Sequence, residues 1–96
     1  MMKTDWPFED PPNVAVLTTQ LILDGSDWIQ SVYHDFEDGM WQFHPADGEL
    51  SSARVVSLAL IIKMDPSIYV LADLPIGWRA WRHSRSASWV RRPVDH

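Results

Sequence analysis

Residues 28–44 limit the possible folds most, because apolar and polar side chains alternate on both sides of a turn signal. Residues 28–36 and 40–44 are typical of two antiparallel strands, and Glu37-Asp38-Gly39 is typical of the turn between them. A two-residue turn at Asp38-Gly39 gives the hairpin one apolar and one polar face, as a half-buried sheet requires. The predicted cross-strand pairs are Phe36 with Trp41, His34 with Phe43, and Tyr33 with His44. The predicted polar face holds Ser31, Tyr33, Asp35, Gln42 and His44, and the apolar face Val32, His34, Phe36, Trp41 and Phe43.

Local signals outside the hairpin complete the predicted fold. Clusters of β-branched and apolar residues predict strands, and Ser, Thr or Asp before a helical apolar pattern predicts a capped helix. The expected class is α+β, with a small antiparallel sheet built on the central hairpin and two or three short helices packed on one face. The predicted strands cover residues 13–18, 54–56, 78–83 and 89–91, and the helices follow Thr18 or Thr19, Ser57, and Asp65-Pro66. The predicted organisation is an N-terminal arm over 1–12, a single α+β domain over 13–91 and a C-terminal tail over 92–96.

Length and composition bound the class of protein. The chain has 96 residues and no cysteine, which predicts one domain without disulfides, thiolate nucleophiles or cysteine-ligated metal. A secreted domain of this size usually needs covalent staples, and the first residues have no signal-peptide pattern. The longest apolar runs are far shorter than the roughly 20 residues of a membrane span. We therefore expect a cytoplasmic protein that does not enter a membrane.

Charge is distributed unevenly along the chain. Residues 1–53 carry ten acids and one lysine, whereas residues 54–96 carry seven basic residues and three acids. The arginines of the second half could form a basic face for an acidic protein or for phosphates, or they could pair with the acidic half of the same fold. The net charge of −5 favours internal pairing and argues against a nucleic-acid partner.

Catalytic and metal-binding patterns are weak in this sequence. His34, Asp35, His44 and Asp47 could suggest a metal site, but the predicted register puts the two histidines on opposite faces of the hairpin. The chain has no Gly-x-Ser-x-Gly elbow and no glycine-rich phosphate loop, and Glu37 is a solvated turn residue rather than a buried acid. We therefore predict no enzyme activity, no catalytic residues, no cofactor and no metal.

Aromatic and charged residues suggest a surface for a partner protein instead. Trp78-Arg79-Ala80-Trp81-Arg82 combines the residue types that dominate binding hot spots, although two tryptophans at this spacing could equally be core residues with arginines stacked on them. The acids of the hairpin turn could contribute charge complementarity. The candidate partner surface consists of Asp35, Glu37, Asp38, Trp78, Arg79, Trp81 and Arg82.

Seven short segments occur in a characteristic order over about residues 13–90. They are Val14-Ala15-Val16-Leu17-Thr18-Thr19, Val32-Tyr33-His34-Asp35, Asp38-Gly39-Met40-Trp41-Gln42-Phe43, Val55-Val56-Ser57-Leu58, Asp65-Pro66-Ser67-Ile68, Leu74-Pro75-Ile76-Gly77 and Trp89-Val90. This order of segments resembles a bacterial domain family of unknown function that is classed among the immunity proteins of polymorphic toxin systems. The resemblance implies a compact α+β fold and a role in binding and masking a protein, such as a toxin, and it brings no catalytic residues.

Three hypotheses for function follow. The first is a non-catalytic protein-binding module of the immunity-protein kind. The second is a small-molecule or metal-binding protein with a pocket lined by His34, Trp41, His44 and Trp81. The third is an accessory protein that self-associates through an exposed strand edge or through the Trp78–Arg82 segment.

Overall fold

Six strands and three short helices are present in the part of the chain that the computed structural model describes, residues 6–46 and 52–94. The strands are β1 (Ala15–Thr19), β2 (Ile29–His34), β3 (Trp41–Pro45), β4 (Ala53–Ser57), β5 (Trp78–Trp81) and β6 (Val90–Pro93). The helices are α1 (Gln20–Leu23), α2 (Leu58–Met64) and a 3₁₀ helix, α3 (Pro66–Leu71). These elements confirm the α+β class.

The six strands form one mixed sheet in the order β4-β1-β3-β2-β5-β6. The β2–β3 hairpin is central, as predicted, but the prediction of a small antiparallel sheet is wrong. Strand β1 pairs with β3 in parallel, and the other neighbouring pairs are antiparallel. Parallel neighbours need a long crossover connection, which here consists of α1 and β2. Alternation in the sequence marks each strand, but it contains no information about which strand lies beside which.

The helices begin at the capping residues that the sequence indicates. Each cap satisfies a backbone N–H in the first turn, which would otherwise lack an intrahelical partner. The Thr19 side chain accepts from the N–H of Leu21, the Ser57 side chain from that of Leu60 and the Asp65 side chain from that of Ser67.

No helix in residues 6–46 and 52–94 is long and apolar enough to cross a membrane.

The hairpin exists, but its register differs from the prediction by two residues. Trp41 lies opposite His34 rather than Phe36, because the connecting loop spans residues 35–40 and is longer than a two-residue turn. A shift of two residues preserves the face on which each side chain lies, since the side-chain period of a strand is two. The predicted faces are therefore confirmed for the side chains within β2 and β3, whereas Asp35 and Phe36 lie in the loop, where Phe36 is exposed. The observed pairs are Ser31 with His44, Val32 with Phe43, Tyr33 with Gln42, and His34 with Trp41.

The hydrophobic core lies between one face of the sheet and the helices. The strands contribute one set of alternating side chains to it, and the helices contribute their buried residues. From the N-terminal arm, Phe8 is buried in the same cluster and contacts Trp41 edge to face. The core residues are Phe8, Val16, Ile22, Ile29, Val32, Trp41, Phe43, Leu58, Ile61, Ile62, Ile68, Leu71, Leu74 and Ala80.

The C-terminal strand extends further than the sequence suggested. Arg92 and Pro93 belong to β6, although the predicted tail begins at residue 92. They are ordered because β6 pairs along its whole length with β5, and the N–H of Val94 donates to the carbonyl of Gly77 at 2.7 Å. The first five residues of the predicted arm and the last two residues of the predicted tail lie outside the described residues.

Candidate functional site

The sheet has a second face, on the side away from the core, and we call it the open face. The described helices pack on the core side of the sheet, so none of them covers the open face. One row of side chains crosses all six strands on this face, from Val55 on β4 to Arg92 on β6. That row is Val55, Leu17, Gln42, Tyr33, Arg79 and Arg92, and the next row is His44, Ser31, Trp81 and Val90.

A polar network holds the hairpin part of the open face in one arrangement. The Gln42 amide donates to Asp35 Oδ2 at 3.3 Å, so its carbonyl oxygen is left to accept from His44 Nε2 at 3.1 Å. The His44 ring also packs on Tyr33, with ring centroids 4.8 Å apart. Burial lowers the pKa of His44 below its ordinary value of 6.5, which favours the neutral ring. These groups form one connected network on the open face, and the neutral imidazole is a hydrogen-bond donor within it.

The predicted Trp78–Arg82 segment does not act as one surface patch. It lies in and just beyond β5, where successive side chains point to opposite faces. Arg79 and Trp81 lie on the open face, with the Arg79 guanidinium carbon 4.6 Å from the Trp81 ring centroid. Trp78 lies on the other side and packs against the core. Strand alternation therefore divides the predicted hot spot into an open-face half and a core half.

The prediction that Arg82 belongs to the partner surface is wrong, because Arg82 is a buried structural residue. Only 1% of it is exposed, and all five guanidinium N–H donors have acceptors. The guanidinium also lies 4.2 Å from the ring centroid of Trp89 and 5.7 Å from that of Trp28. A partner protein cannot contact this side chain in the folded domain. Its acceptors are the carbonyls of Ile29 and Arg85, Ser67 Oγ and Asp65 Oδ2, the last at 2.7 Å.

Asp65 is the charged partner of that buried arginine. Burial alone would raise its pKa, but the hydrogen bonds from Ser67 and Arg82 and the positive charge of Arg82 outweigh it, and the pKa lies below the ordinary value of 3.8. The same carboxylate caps α3 through the N–H of Ser67. Asp65 and Arg82 together therefore stabilise the packing of α3 on the sheet.

The three predicted acids lie together at the end of the hairpin. Asp35 begins the loop and accepts from the N–H of Glu37 at 2.8 Å, and Asp38 accepts from the N–H of Met40 at 2.8 Å. Glu37 and Asp38 are exposed, as is Phe36 between them and the strand. Asp35 and Glu37 border a pocket together with Tyr33 at one end of the open face. Asp38 instead lines a pocket with His34 and Trp41, which lie on the core side.

The structure does not bring together the residues of the predicted small-molecule or metal pocket. His34 lies on the core side, stacked on Trp41 with ring centroids 3.9 Å apart, and its Nδ1–H donates to the Leu74 carbonyl at 2.8 Å. His44 and Trp81 lie on the open face, so the four predicted lining residues are split between two sides of the sheet. Within residues 6–46 and 52–94, no three His, Cys, Asp or Glu side chains are grouped closely enough to hold a metal ion, and Asp47 lies outside the described residues.

Arg92 is the open-face residue that sequence reasoning missed. It lies directly opposite Arg79, and a shallow cleft of about 580 Å³ beside the pair is lined by Tyr33, Arg79, Arg92, Pro93 and Val94. The sequence does indicate this position, because the alternation of side chains continues after Val90. Residues 92–96 were nevertheless predicted to be a tail, because terminal residues are often poorly ordered.

Comparisons with known proteins identify no relative of this chain. No family model matches it. Searches of curated proteins and of solved structures also give no match. The open face and the acidic hairpin loop are therefore the basis on which a function can be proposed.

Proposed function

We propose that this chain is a non-catalytic protein-binding module, and that a partner protein docks on the open face beside the acidic hairpin loop. The observation that carries the proposal is the row of Tyr33, Arg79 and Arg92 next to Trp81 on a sheet face that none of the described helices covers. Trp, Tyr and Arg are the residues that most often carry the binding energy of protein interfaces.

The energetics of this face suit a partner. Trp81 and Tyr33 are partly exposed, so a docking protein would remove further aromatic surface from water. The Asp35–Gln42–His44 network is already formed, so docking would require little side-chain ordering there. Arginines on β5 and on the edge strand β6, together with acids in the hairpin loop, offer charges of both signs, which give a partner a defined orientation.

The resemblance of residues 13–90 to immunity proteins of polymorphic toxin systems supports the finer form of the proposal. In that form, the partner is a toxin that the module binds and masks in the cytoplasm. Nucleic acid is not the proposed partner, because the chain carries a net charge of −5. Expression of this chain should restore the growth of cells that express a toxin encoded by a neighbouring gene. If the chain binds no protein encoded beside it and restores no growth, this form of the proposal is contradicted.

Co-purification from the native host under mild salt, followed by mass spectrometry, tests the general proposal. We expect one stoichiometric partner protein, which Trp81→Ala should lose. Tyr69→Ala is the matched control, because Tyr69 is an exposed aromatic residue on α3 and should leave capture unchanged. Equal capture of a partner by the wild type, Trp81→Ala and Tyr69→Ala, or no partner with any of them, would overturn the proposal.

Sedimentation of the free protein separates this function from self-association. A self-associating chain would sediment as a dimer or larger species, which Trp81→Ala or a substitution at the β4 edge would disrupt.

A further inference from the structure

Arg79 and Arg92 form a pair of positive charges on the open face that no carboxylate in residues 6–46 and 52–94 neutralises. They are direct cross-strand partners in β5 and β6, and like charges in that position destabilise a sheet. In the described ranges, 6–46 and 52–94, the two ion pairs are Arg82 with Asp65 and Arg91 with Asp73, and neither involves Arg79 or Arg92. The fold therefore places two arginines at directly opposed positions on neighbouring strands, at a cost in stability, and within residues 6–46 and 52–94 neither of them forms an ion pair.

The surroundings of the pair leave its hydrogen-bond donors available to a ligand. Stacking on Trp81 fixes the plane of the Arg79 guanidinium and leaves its N–H groups at the edges of that plane. Arg79 has Tyr33 as its cross-strand neighbour on one side and Arg92 on the other. The shallow cleft beside these residues is bounded by Pro93, which has no N–H of its own.

One carboxylate close in sequence to Tyr33 is already engaged. Asp35, the first loop residue after β2, accepts from the Glu37 N–H through Oδ1 and from the Gln42 amide through Oδ2. No ion pair joins it to Arg79. The hairpin acids therefore do not neutralise the arginine pair within the folded domain.

We propose that Arg79 and Arg92 form a carboxylate-binding site that receives an acidic side chain of the docking partner. The guanidinium groups of two opposed arginines match the planar geometry and the charge of a carboxylate. A small oxyanion such as inorganic phosphate is the competing occupant, and the experiment below distinguishes it from a side-chain carboxylate. This inference rests on the proposed function and names the chemistry of the partner's anchoring group.

Nuclear magnetic resonance titration with a hexaglutamate peptide tests the site directly. We expect the Arg79 Nε–H and Trp81 Nε1–H signals to shift on addition of the peptide. Loss of a charge-assisted hydrogen bond should weaken binding by about tenfold or more in Arg79→Gln and in Arg92→Gln. Arg54→Gln is the matched control, because Arg54 is an exposed arginine on β4 at the opposite edge, where its side chain donates to the Ser52 and Ala53 carbonyls.

A melting experiment separates loss of the site from loss of the fold. Because Arg92→Gln removes the cross-strand repulsion, its melting temperature should equal or exceed that of the wild type while peptide binding falls. A variant that binds less only because it has partly unfolded would melt at a lower temperature and would overturn the assignment.

Other outcomes would also contradict the site. Absence of shifts with the peptide, or equal peptide binding by wild type and both variants, would overturn it. Arginine-dependent binding of inorganic phosphate without peptide binding would assign the pair to a small oxyanion instead.

Capture of a partner protein separates this inference from the proposed function. Equal capture by the wild type and by Arg92→Gln would overturn this inference and leave the proposed function intact. Arginine-dependent peptide binding with no captured partner would support the site and contradict only the proposed function.

Discussion

At the scale of single residues, Arg82 shows how a charge becomes part of the core. Desolvating a guanidinium is costly, and the cost is offset only when every donor has an acceptor. Here five hydrogen bonds, one of which is also the ion pair with Asp65, and contact with Trp28 and Trp89 provide that compensation. Arg82 thereby connects β2, the cap of α3 and the loop after β5.

Substitution of Arg82 by methionine should therefore be strongly destabilising. We expect Arg82→Met to lower the free energy of unfolding by about 3 kcal/mol, because it leaves buried carbonyls and Asp65 without their donor. Arg85→Met is the matched control three residues away, where the side chain is exposed and the backbone carbonyl that Arg82 uses is retained. Urea denaturation measures both variants, and wild-type stability in Arg82→Met would contradict the structural role.

At the scale of elements, the loop of the β2–β3 hairpin depends on one backbone conformation. Gly39 has φ of +71°, and its N–H donates to the Asp35 carbonyl while the Asp35 N–H donates to the Met40 carbonyl, both at 2.9 Å. A Cβ at Gly39 would meet only Ile76 Cδ1, at 3.9 Å, which is ordinary contact. Glycine is therefore needed for its positive φ and not for lack of space.

Comparison of two substitutions at this position separates those causes. We expect Gly39→Val to cost about 1–2 kcal/mol, because a β-branched residue resists the left-handed conformation. Gly39→Asn should cost clearly less, since asparagine tolerates that conformation better. Thermal denaturation of the two variants provides the measurement. Equal losses would point to steric crowding instead, and no loss in Gly39→Val would contradict the observed loop.

At the scale of the whole molecule, His44 couples the open face to pH. Its pKa is lowered by burial, so the folded protein binds a proton at this ring less readily than the unfolded chain, whose value is near 6.5. Well above pH 6.5 both states are neutral at this residue, so its contribution to the free energy of unfolding does not change with pH. As the pH falls below 6.5, the unfolded chain takes up the proton first and the folded state loses stability.

The difference between wild type and His44→Gln isolates this effect from the other histidines. Between pH 7 and pH 5, we expect the free energy of unfolding to fall more in the wild type than in His44→Gln. Between pH 7 and pH 8, we expect the free energy of unfolding to change equally in the two proteins. Glutamine is suitable because its amide can still donate to Gln42 Oε1. Urea denaturation across this pH range checks the prediction, and identical pH dependence would contradict the burial of the neutral ring.

Much of the open face could be predicted from local pattern. Alternation placed Tyr33, Asp35, Gln42 and His44 on one polar face of the hairpin, and that placement holds even though the register was wrong by two residues. The same rule, applied to Arg79, Trp81 and Arg82, would have divided the side chains of the Trp–Arg segment between the two faces of the sheet. Neighbouring side chains in a strand point to opposite faces. Arg92 was not predicted, because its place in a strand depends on pairing with β5, 13 positions earlier in the chain at Arg79.

The sequence by itself determined many local features: the two strands of the hairpin, the face that each of their side chains takes, where the helices are capped, and the need for glycine in the hairpin loop. These depend on backbone geometry and on neighbours within a few residues. Only the tertiary structure decided that β1 lies parallel to β3, how far the hairpin register shifts, and that Arg82 is buried while Arg79 is not. Several arrangements satisfy the local pattern equally well, and long-range packing selects the one that buries the apolar face and supplies acceptors for the buried charge.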